Sequence, residues 1–167
     1  MMHLRDVRFP FLLGGLVSLG LVAGGVFLSA FMNLAACPLC IWQRILYLLF
    51  LLLSFAGLVG ARHRAARRLF GLLMSVTAAT GAGVAGYQVW IQRFAPMTTC
   101  GGKEPWWELF VRWAGEMLPL LFEANGLCSD PAWTFLELSI ADWSLLMFLS
   151  LIVLALYAGL MKGYAAR

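Results

Sequence analysis

Charged residues are scarce in this chain. Among 167 residues there are 12 basic and 8 acidic side chains, together 12% of the sequence. A soluble domain usually carries about twice that share, so the composition indicates a bilayer rather than water as the main surroundings. The net charge of +4 alone would allow a nucleic-acid partner. However, no basic stripe is interleaved with aromatic residues in a polar segment, and we expect no such partner.

Other features are also missing. The sequence has no internal repeat, no low-complexity tract and no glycine-rich phosphate-binding loop. It has only two histidines, His3 near the N-terminus and His63 among arginines. Neither position suggests a metal ligand or a general base, and we predict no metal site.

Four long apolar stretches dominate what is present. A helix needs about 20 apolar residues to cross hydrocarbon, and four such stretches cover residues 11–32, 41–60, 69–90 and 143–161. A backbone inside a membrane must satisfy its own hydrogen bonds. We therefore predict an all-α membrane protein, with one domain over residues 1–167 that forms a four-transmembrane-helix bundle. The first stretch follows basic residues as a signal peptide would, but it is too long for one. We expect it to be an uncleaved span.

Basic residues collect on one side of this predicted bundle. They lie in both termini and in the link between the second and third spans: Arg5, Arg8, Arg62, Arg64, Arg67, Arg68, Lys162 and Arg167. Positive residues mark the cytoplasmic side of a membrane, so both termini should face the cytoplasm. Two loops, about 33–40 and 91–142, should then face the opposite side.

All four cysteines fall in those two loops. Cys37 and Cys40 are in the short loop, and Cys100 and Cys128 are in the long one. The non-cytoplasmic compartment is oxidising, so disulfides can persist there, although spacing does not fix their connectivity. A CxxC bridge closes almost no chain and gains little stability from loop closure, which favours a redox centre over a structural staple. A four-cysteine zinc site would usually need two closely spaced pairs.

The residues around the CxxC pair favour redox chemistry. Pro38 suits the first turn of a helix, so the pair should open the second span, where the partial positive charge of a helix N-terminus stabilises thiolates. Arg44 lies four residues after Cys40, on the same helical face. It could stabilise a thiolate and hold a negatively charged acceptor, or it could anchor the helix end as a snorkelling side chain.

The long loop contains an amphipathic segment from Pro105 to Met117. Its large apolar residues follow helical spacing: Trp106, Leu109, Phe110, Trp113 and Met117. We predict a short interfacial amphipathic helix, or else a helix that only covers the bundle. Gly101 and Gly102 would allow Cys100 to move.

Small residues recur every four positions in two of the predicted spans. The third span has Gly71, Ser75, Ala79 and Gly83, and the first has Gly20 and Gly24. Such spacing lets helices approach closely, and we interpret both series as packing surfaces of the bundle.

The segment Cys37-Pro38-Leu39-Cys40-Ile41-Trp42-Gln43-Arg44 resembles the CxxC-x-x-x-Arg signature of the disulfide bond formation protein B (DsbB) family. The residues after the last cysteine resemble the family's end of the long loop: Cys128, Trp133, Phe135, Leu136 and Trp143. The resemblance covers four spans, two outer loops and every cysteine.

This resemblance implies a bacterial inner-membrane enzyme. Such an enzyme reoxidises a soluble, thioredoxin-like dithiol oxidase of the periplasm (DsbA) and passes electrons to a membrane quinone, ubiquinone or menaquinone. By position, Cys100 should form the mixed disulfide with that partner. Cys128 should leave and then attack Cys37, releasing Cys40 beside the quinone with Arg44 near a quinone oxygen.

One position departs from the family pattern. Family members often have a histidine near the outer end of the third span, where this chain has Gln88. Gln92, one turn further on, could donate a hydrogen bond to a quinone carbonyl. Two other functions stay open: a non-catalytic protein with two structural disulfides, and a related thiol–quinone enzyme with another direction or a dedicated partner.

Overall fold

The computed structural model describes residues 7–32, 34–94, 106–130 and 133–161. These ranges contain six helices and one short hairpin. The elements are α1 (Phe9–Phe31), α2 (Pro38–Gly60), α3 (Arg64–Phe94), α4 (Trp106–Met117), α5 (Pro119–Phe122), β1 (Thr134–Phe135), β2 (Leu138–Ser139) and α6 (Ile140–Leu160).

Four of these helices are long and apolar enough to cross a membrane: α1, α2, α3 and α6. The predicted all-α membrane class, with four spans, is confirmed. The largest difference in length is in α3, which extends past the predicted 69–90 at both ends because hydropathy marks only the apolar part of a helix. Large side chains such as Leu52, Val59 and Val153 are exposed on the outside of the bundle, as expected for a surface that meets lipid.

The bundle is tightly packed where glycines face neighbouring helices. A Cβ atom added at Gly71 would lie 2.6 Å from the Cα of Gly159, and one at Gly81 would lie 2.2 Å from the ring of Phe148. These contacts bring α3 and α6 together closely, whereas α1 meets α6 much less extensively.

The packing interpretation of the small-residue series is therefore right for Gly71 but wrong for three other glycines. A Cβ atom at Gly20, Gly24 or Gly83 would meet nothing within 4 Å. A repeat of small residues reports only that close approach is possible, and the fold uses that possibility at some of the positions.

A buried arginine joins the ends of two helices far from the cysteines. Arg67 is only 3% exposed, and it donates hydrogen bonds to the carbonyl oxygens of Met161 at 2.7 Å and Ala61 at 3.4 Å. These carbonyls end α6 and α2, where backbone oxygens lack helical partners.

The predicted amphipathic helix is present as α4, and it has two apolar faces. Val111 and Ala114 are buried. Phe110 packs against Trp42 of α2 with ring centroids 5.6 Å apart. Trp106 and Trp113, in contrast, are largely exposed. A helix that only covered the bundle would not need the second apolar face, so the pattern favours the predicted interfacial position.

Candidate functional site

The site begins at the N-terminus of α2. Cys37 is the N-cap residue, Pro38 occupies the first turn, and the Sγ atom of Cys37 accepts a hydrogen bond from the backbone N–H of Cys40 at 3.4 Å. The prediction that the CxxC pair opens the second helix is thus confirmed. The two sulfur atoms are 3.0 Å apart, with the Cys37 thiol donating to Cys40. This places the Cys37 sulfur at a backbone N–H group that has no helical acceptor.

Cys128 of the long loop lies beside this pair. It packs against Cys37, Leu39 and Ile91, and its sulfur accepts hydrogen bonds from the Cys37 thiol and from the backbone N–H of Leu39. The Cys37 hydrogen bond is the main reason that the pKa of Cys128 is lowered. The pKa of Cys37 is raised by the neighbouring sulfurs of Cys128 and Cys40 and by burial. Cys128 is therefore the better nucleophile of the two, and Cys37 lies within its reach.

Cys37, Cys40 and Cys128 are thiols in the described part of the chain. Cys100, the fourth predicted site cysteine, lies outside the described residues, as do Gly101 and Gly102. The predicted exchange between Cys100 and a partner therefore stays a prediction.

Two glutamines complete the surroundings of the sulfurs. The Nε2 atom of Gln88 lies 3.3 Å from the sulfurs of both Cys37 and Cys40. Its Oε1 atom accepts a hydrogen bond of 2.8 Å from Nε2 of Gln43. From the sequence, Gln88 is only a departure from a family pattern, and no role is predicted for Gln43. Polar side chains within apolar spans often mark functional sites. Gln43 lies one helical turn after Cys40, and Gln88 lies in the next span, so both could have been recognised on that ground.

Arg44 is turned inward and is 9% exposed, so it is not a snorkelling residue. It donates to the carbonyl oxygen of Leu121 at 3.0 Å, to that of Gly25 at 2.7 Å and to Oγ of Ser29. These bonds join α2 to α1 and α5. The positive charge also acts on the sulfurs of Cys37 and Cys40.

A cavity of about 420 Å³ adjoins the thiols. It lies mainly between α1, α2 and α6, where α1 and α6 make few contacts. Most of its wall is apolar or aromatic. Its polar lining residues are Ser29, Cys37, Cys40, Gln43, Arg44, Tyr47, Gln88, Gln92, Asp130 and Ser144. The glycines of α1 whose Cβ positions meet nothing, Gly20 and Gly24, also line it.

Gln92 lies on this wall as a residue of α3. Its Oε1 atom accepts a hydrogen bond from Oγ of Ser139 at 2.8 Å, which fixes the side chain at the cavity. Tyr47 lines the cavity from α2 and pairs with Oγ of Ser144 at 2.9 Å. Neither Tyr47 nor Ser144 is predicted from the sequence as a site residue.

These features define a multi-pass membrane protein with a cysteine thiol site beside an apolar cavity. The family model of disulfide bond formation protein DsbB matches residues 7–158, and the chain belongs to that family.

Curated relatives agree with this assignment. The chain is 40% identical over 161 residues to "Disulfide bond formation protein B" of Dechloromonas aromatica, covering 95% of this chain and 96% of the relative. It is 38% identical over 155 residues to the protein of the same name from Nitrosomonas europaea, covering 89% and 91%. It is 35% identical over 150 residues to "Disulfide bond formation protein B 1" of Pseudomonas fluorescens, covering 90% and 87%.

Proposed function

We propose that this protein is a thiol:quinone oxidoreductase that makes disulfides for a soluble dithiol partner on the non-cytoplasmic side of a bacterial inner membrane. One observation carries the proposal: Cys128 packs against the cluster that contains Cys37, and Cys37 and Cys40 line a cavity that also contains Arg44. These residues form a continuous path from a loop cysteine to an apolar chamber.

The cysteines account for the first part of this path. The thiolate of the partner attacks the Cys100–Cys128 bridge at Cys100, and Cys128 leaves as a thiolate. At this stage Cys37 and Cys40 are bridged, and the backbone N–H of Leu39, which also lowers the pKa of Cys128, stabilises the leaving thiolate. The Cys128 thiolate then attacks Cys37, the Cys37–Cys40 bond breaks, and the electron pair of that bond stays on Cys40.

The cavity suits a quinone. Ligand cavities are usually about 300–1,000 Å³, mostly apolar, and contain a few fixed polar groups, and this one has that character. A quinone supplies a two-electron acceptor that is soluble in the bilayer. Arg44 and Gln92 are the residues that would bind its oxygens, and Cys40 is the thiol that faces it.

The position of the loops sets the compartment of the partner, and the family resemblance suggests its type. The basic residues of the link between α2 and α3 predict a cytoplasmic side, which leaves the cysteine loops in the periplasm. A thioredoxin-like dithiol oxidase of the DsbA type is the partner that we propose there.

A turnover assay tests this function. The purified protein in detergent is mixed with a reduced DsbA-type oxidase and a soluble quinone, and the quinone absorbance is followed. We expect rapid loss of absorbance with the unchanged protein and none with Cys40→Ser, which should still form a mixed disulfide with the oxidase. A folded protein that reduces no quinone, or a fully active Cys40→Ser variant, would contradict the proposal and favour structural disulfides.

A further inference from the structure

Two buried glutamines beside the thiols are joined by a hydrogen bond from Gln43 to Gln88. Gln43 is 4% exposed and Gln88 is 3% exposed. The Oε1 atom of Gln88 accepts a hydrogen bond of 2.8 Å from Gln43 and a longer one of 3.7 Å from the Cys40 thiol. The shorter bond from Gln43 holds the amide with its Nε2 hydrogens towards the sulfurs. Its two N–H groups match two acceptors, at 3.3 Å from Cys37 and 3.3 Å from Cys40.

Burying these amides has an energetic cost that their mutual contacts offset. An amide without a hydrogen-bond partner in an apolar interior is destabilising by about 1–3 kcal/mol. Leucine or methionine would fill the same space without that cost. The function of the pair therefore lies in its effect on the sulfurs, which the Nε2 hydrogens of Gln88 contact.

Arg44 does not make this contact. Within the described residues its hydrogen bonds go to carbonyl oxygens of Leu121 and Gly25 and to Ser29. The side-chain N–H groups that reach the sulfurs come from Gln88. Arg44 thus supplies charge at a distance, and Gln88 supplies direct hydrogen bonds.

We propose that Gln88 is a catalytic residue that stabilises the Cys40 thiolate by hydrogen bonding, and that Gln43 is a positioning residue that fixes the orientation of the Gln88 amide. This inference rests on the proposed function for the exchange step. When Cys128 attacks Cys37, the Cys37–Cys40 bond breaks, the Cys128–Cys37 bond forms, and the electron pair goes to Cys40. Gln88 donates to the sulfur that receives the charge, and no proton needs to move.

The reduction equilibrium of the Cys37–Cys40 bridge tests this pair directly. The full chain carries Cys100→Ser and Cys128→Ser, so that only this bridge exchanges with a dithiol/disulfide buffer. A hydrogen bond to a charged group contributes enough for Gln88→Met to lower the equilibrium constant for reduction about tenfold. Gln43→Met, which leaves the Gln88 amide in place but undirected, should lower it about threefold, as expected for a weakened bond.

The double variant separates orientation from independent effects. If Gln43 acts only through Gln88, the double variant should match Gln88→Met alone, because the two substitutions remove the same hydrogen bonds. Additive losses would overturn the positioning role of Gln43. Thr80→Val is the control: Thr80 is an exposed residue of the same helix, α3, whose hydroxyl bonds to the carbonyl oxygen of Val76, and the substitution should leave the constant unchanged. Equal constants for Gln88→Met and Thr80→Val would overturn the role of Gln88.

This measurement contains neither quinone nor partner, so its failure is distinct from failure of the turnover assay. A protein that reduces quinone but shows no Gln88 effect keeps the proposed function and loses this inference. If Gln88→Met lowers the constant but the protein reduces no quinone, this inference stands and the proposed function is lost. Should Gln88→Met not fold, Gln43→Met carries the test, and an unchanged constant in that variant overturns the proposal.

Discussion

The backbone N–H of Gly126 donates a hydrogen bond of 2.9 Å to the carbonyl oxygen of Ala36. A Cβ atom at Gly126 would lie only 2.3 Å from the carbonyl oxygen of Ala35, so no other residue fits without moving one of the two loops. Cys37 directly follows Ala36, and Cys128 is two residues after Gly126. This contact therefore sets the position of one reacting sulfur relative to the other.

Replacing this glycine should impair exchange between the two cysteine pairs. We expect Gly126→Ala to slow turnover about 10- to 100-fold, because a displacement of about 1 Å between reacting groups has effects of that size. The mixed disulfide between Cys100 and the partner should still form and should accumulate. Quenched samples on non-reducing gels would reveal it. Gly86→Ala is the control, since its Cβ would meet nothing within 4 Å, and equal turnover of the two variants would contradict this role for Gly126.

A larger side chain on α1 that fills the cavity would test whether the quinone binds there. Gly24 lines the cavity, and its Cβ position is open, so Gly24→Leu should place a side chain at the gap between α1 and α6 without disturbing packing. We expect the KM for quinone to rise about tenfold or more, because the ligand loses volume in a site of limited size. The KM for the dithiol partner should not change.

A matched leucine elsewhere separates this effect from a general response of the bundle. Gly83 also has an open Cβ position but does not line the cavity, and Gly83→Leu should leave the quinone KM unchanged. If both leucine variants give the same KM for quinone, the acceptor binds somewhere other than this cavity.

Hydropathy and helix-capping chemistry are local properties, and they predict much of this fold. The four spans, the start of α2 at Pro38 and the helix ending at Met117 all follow from residues close together in sequence. The neighbouring positions of Cys37 and Cys128 do not, because they depend on how a loop of the later chain docks on α2. That placement was implied only by the family resemblance.

The glutamine pair and the glycines show more clearly what a single sequence cannot predict. Gln88 contacts Cys37 and Cys40 across 51 and 48 positions of sequence, and a single sequence cannot show which helix faces meet. Gly24 has the spacing of a packing residue, yet it borders a cavity. Sequence spacing identifies a face of a helix but not what that face meets.

At the opposite end of the bundle, Arg67 should contribute to stability and not to redox chemistry. Arg67→Met should lower the free energy of unfolding by about 1–3 kcal/mol, because it leaves the carbonyl oxygens at the ends of α2 and α6 without their donor. Unfolding in detergent, followed by heat or denaturant, would measure it. Arg68→Met is the control at an exposed neighbour, and an equal effect of both variants would assign the loss to net charge.

The reactivity of Cys128 should depend on Cys37 in a pH-dependent way. In the reduced protein with Cys100→Ser, Cys128 accepts a hydrogen bond from the Cys37 thiol, and its pKa is lowered. Its thiolate should therefore persist to lower pH than that of an ordinary cysteine, whose pKa is about 8.5. Cys37→Ala removes the first cause of the shift, so the midpoint for alkylation of Cys128 should move to higher pH. Mass spectrometry of samples alkylated across a pH series would measure this midpoint. The same midpoint with and without Cys37 would mean that the helix N-terminus alone, through the N–H of Leu39, activates the nucleophile.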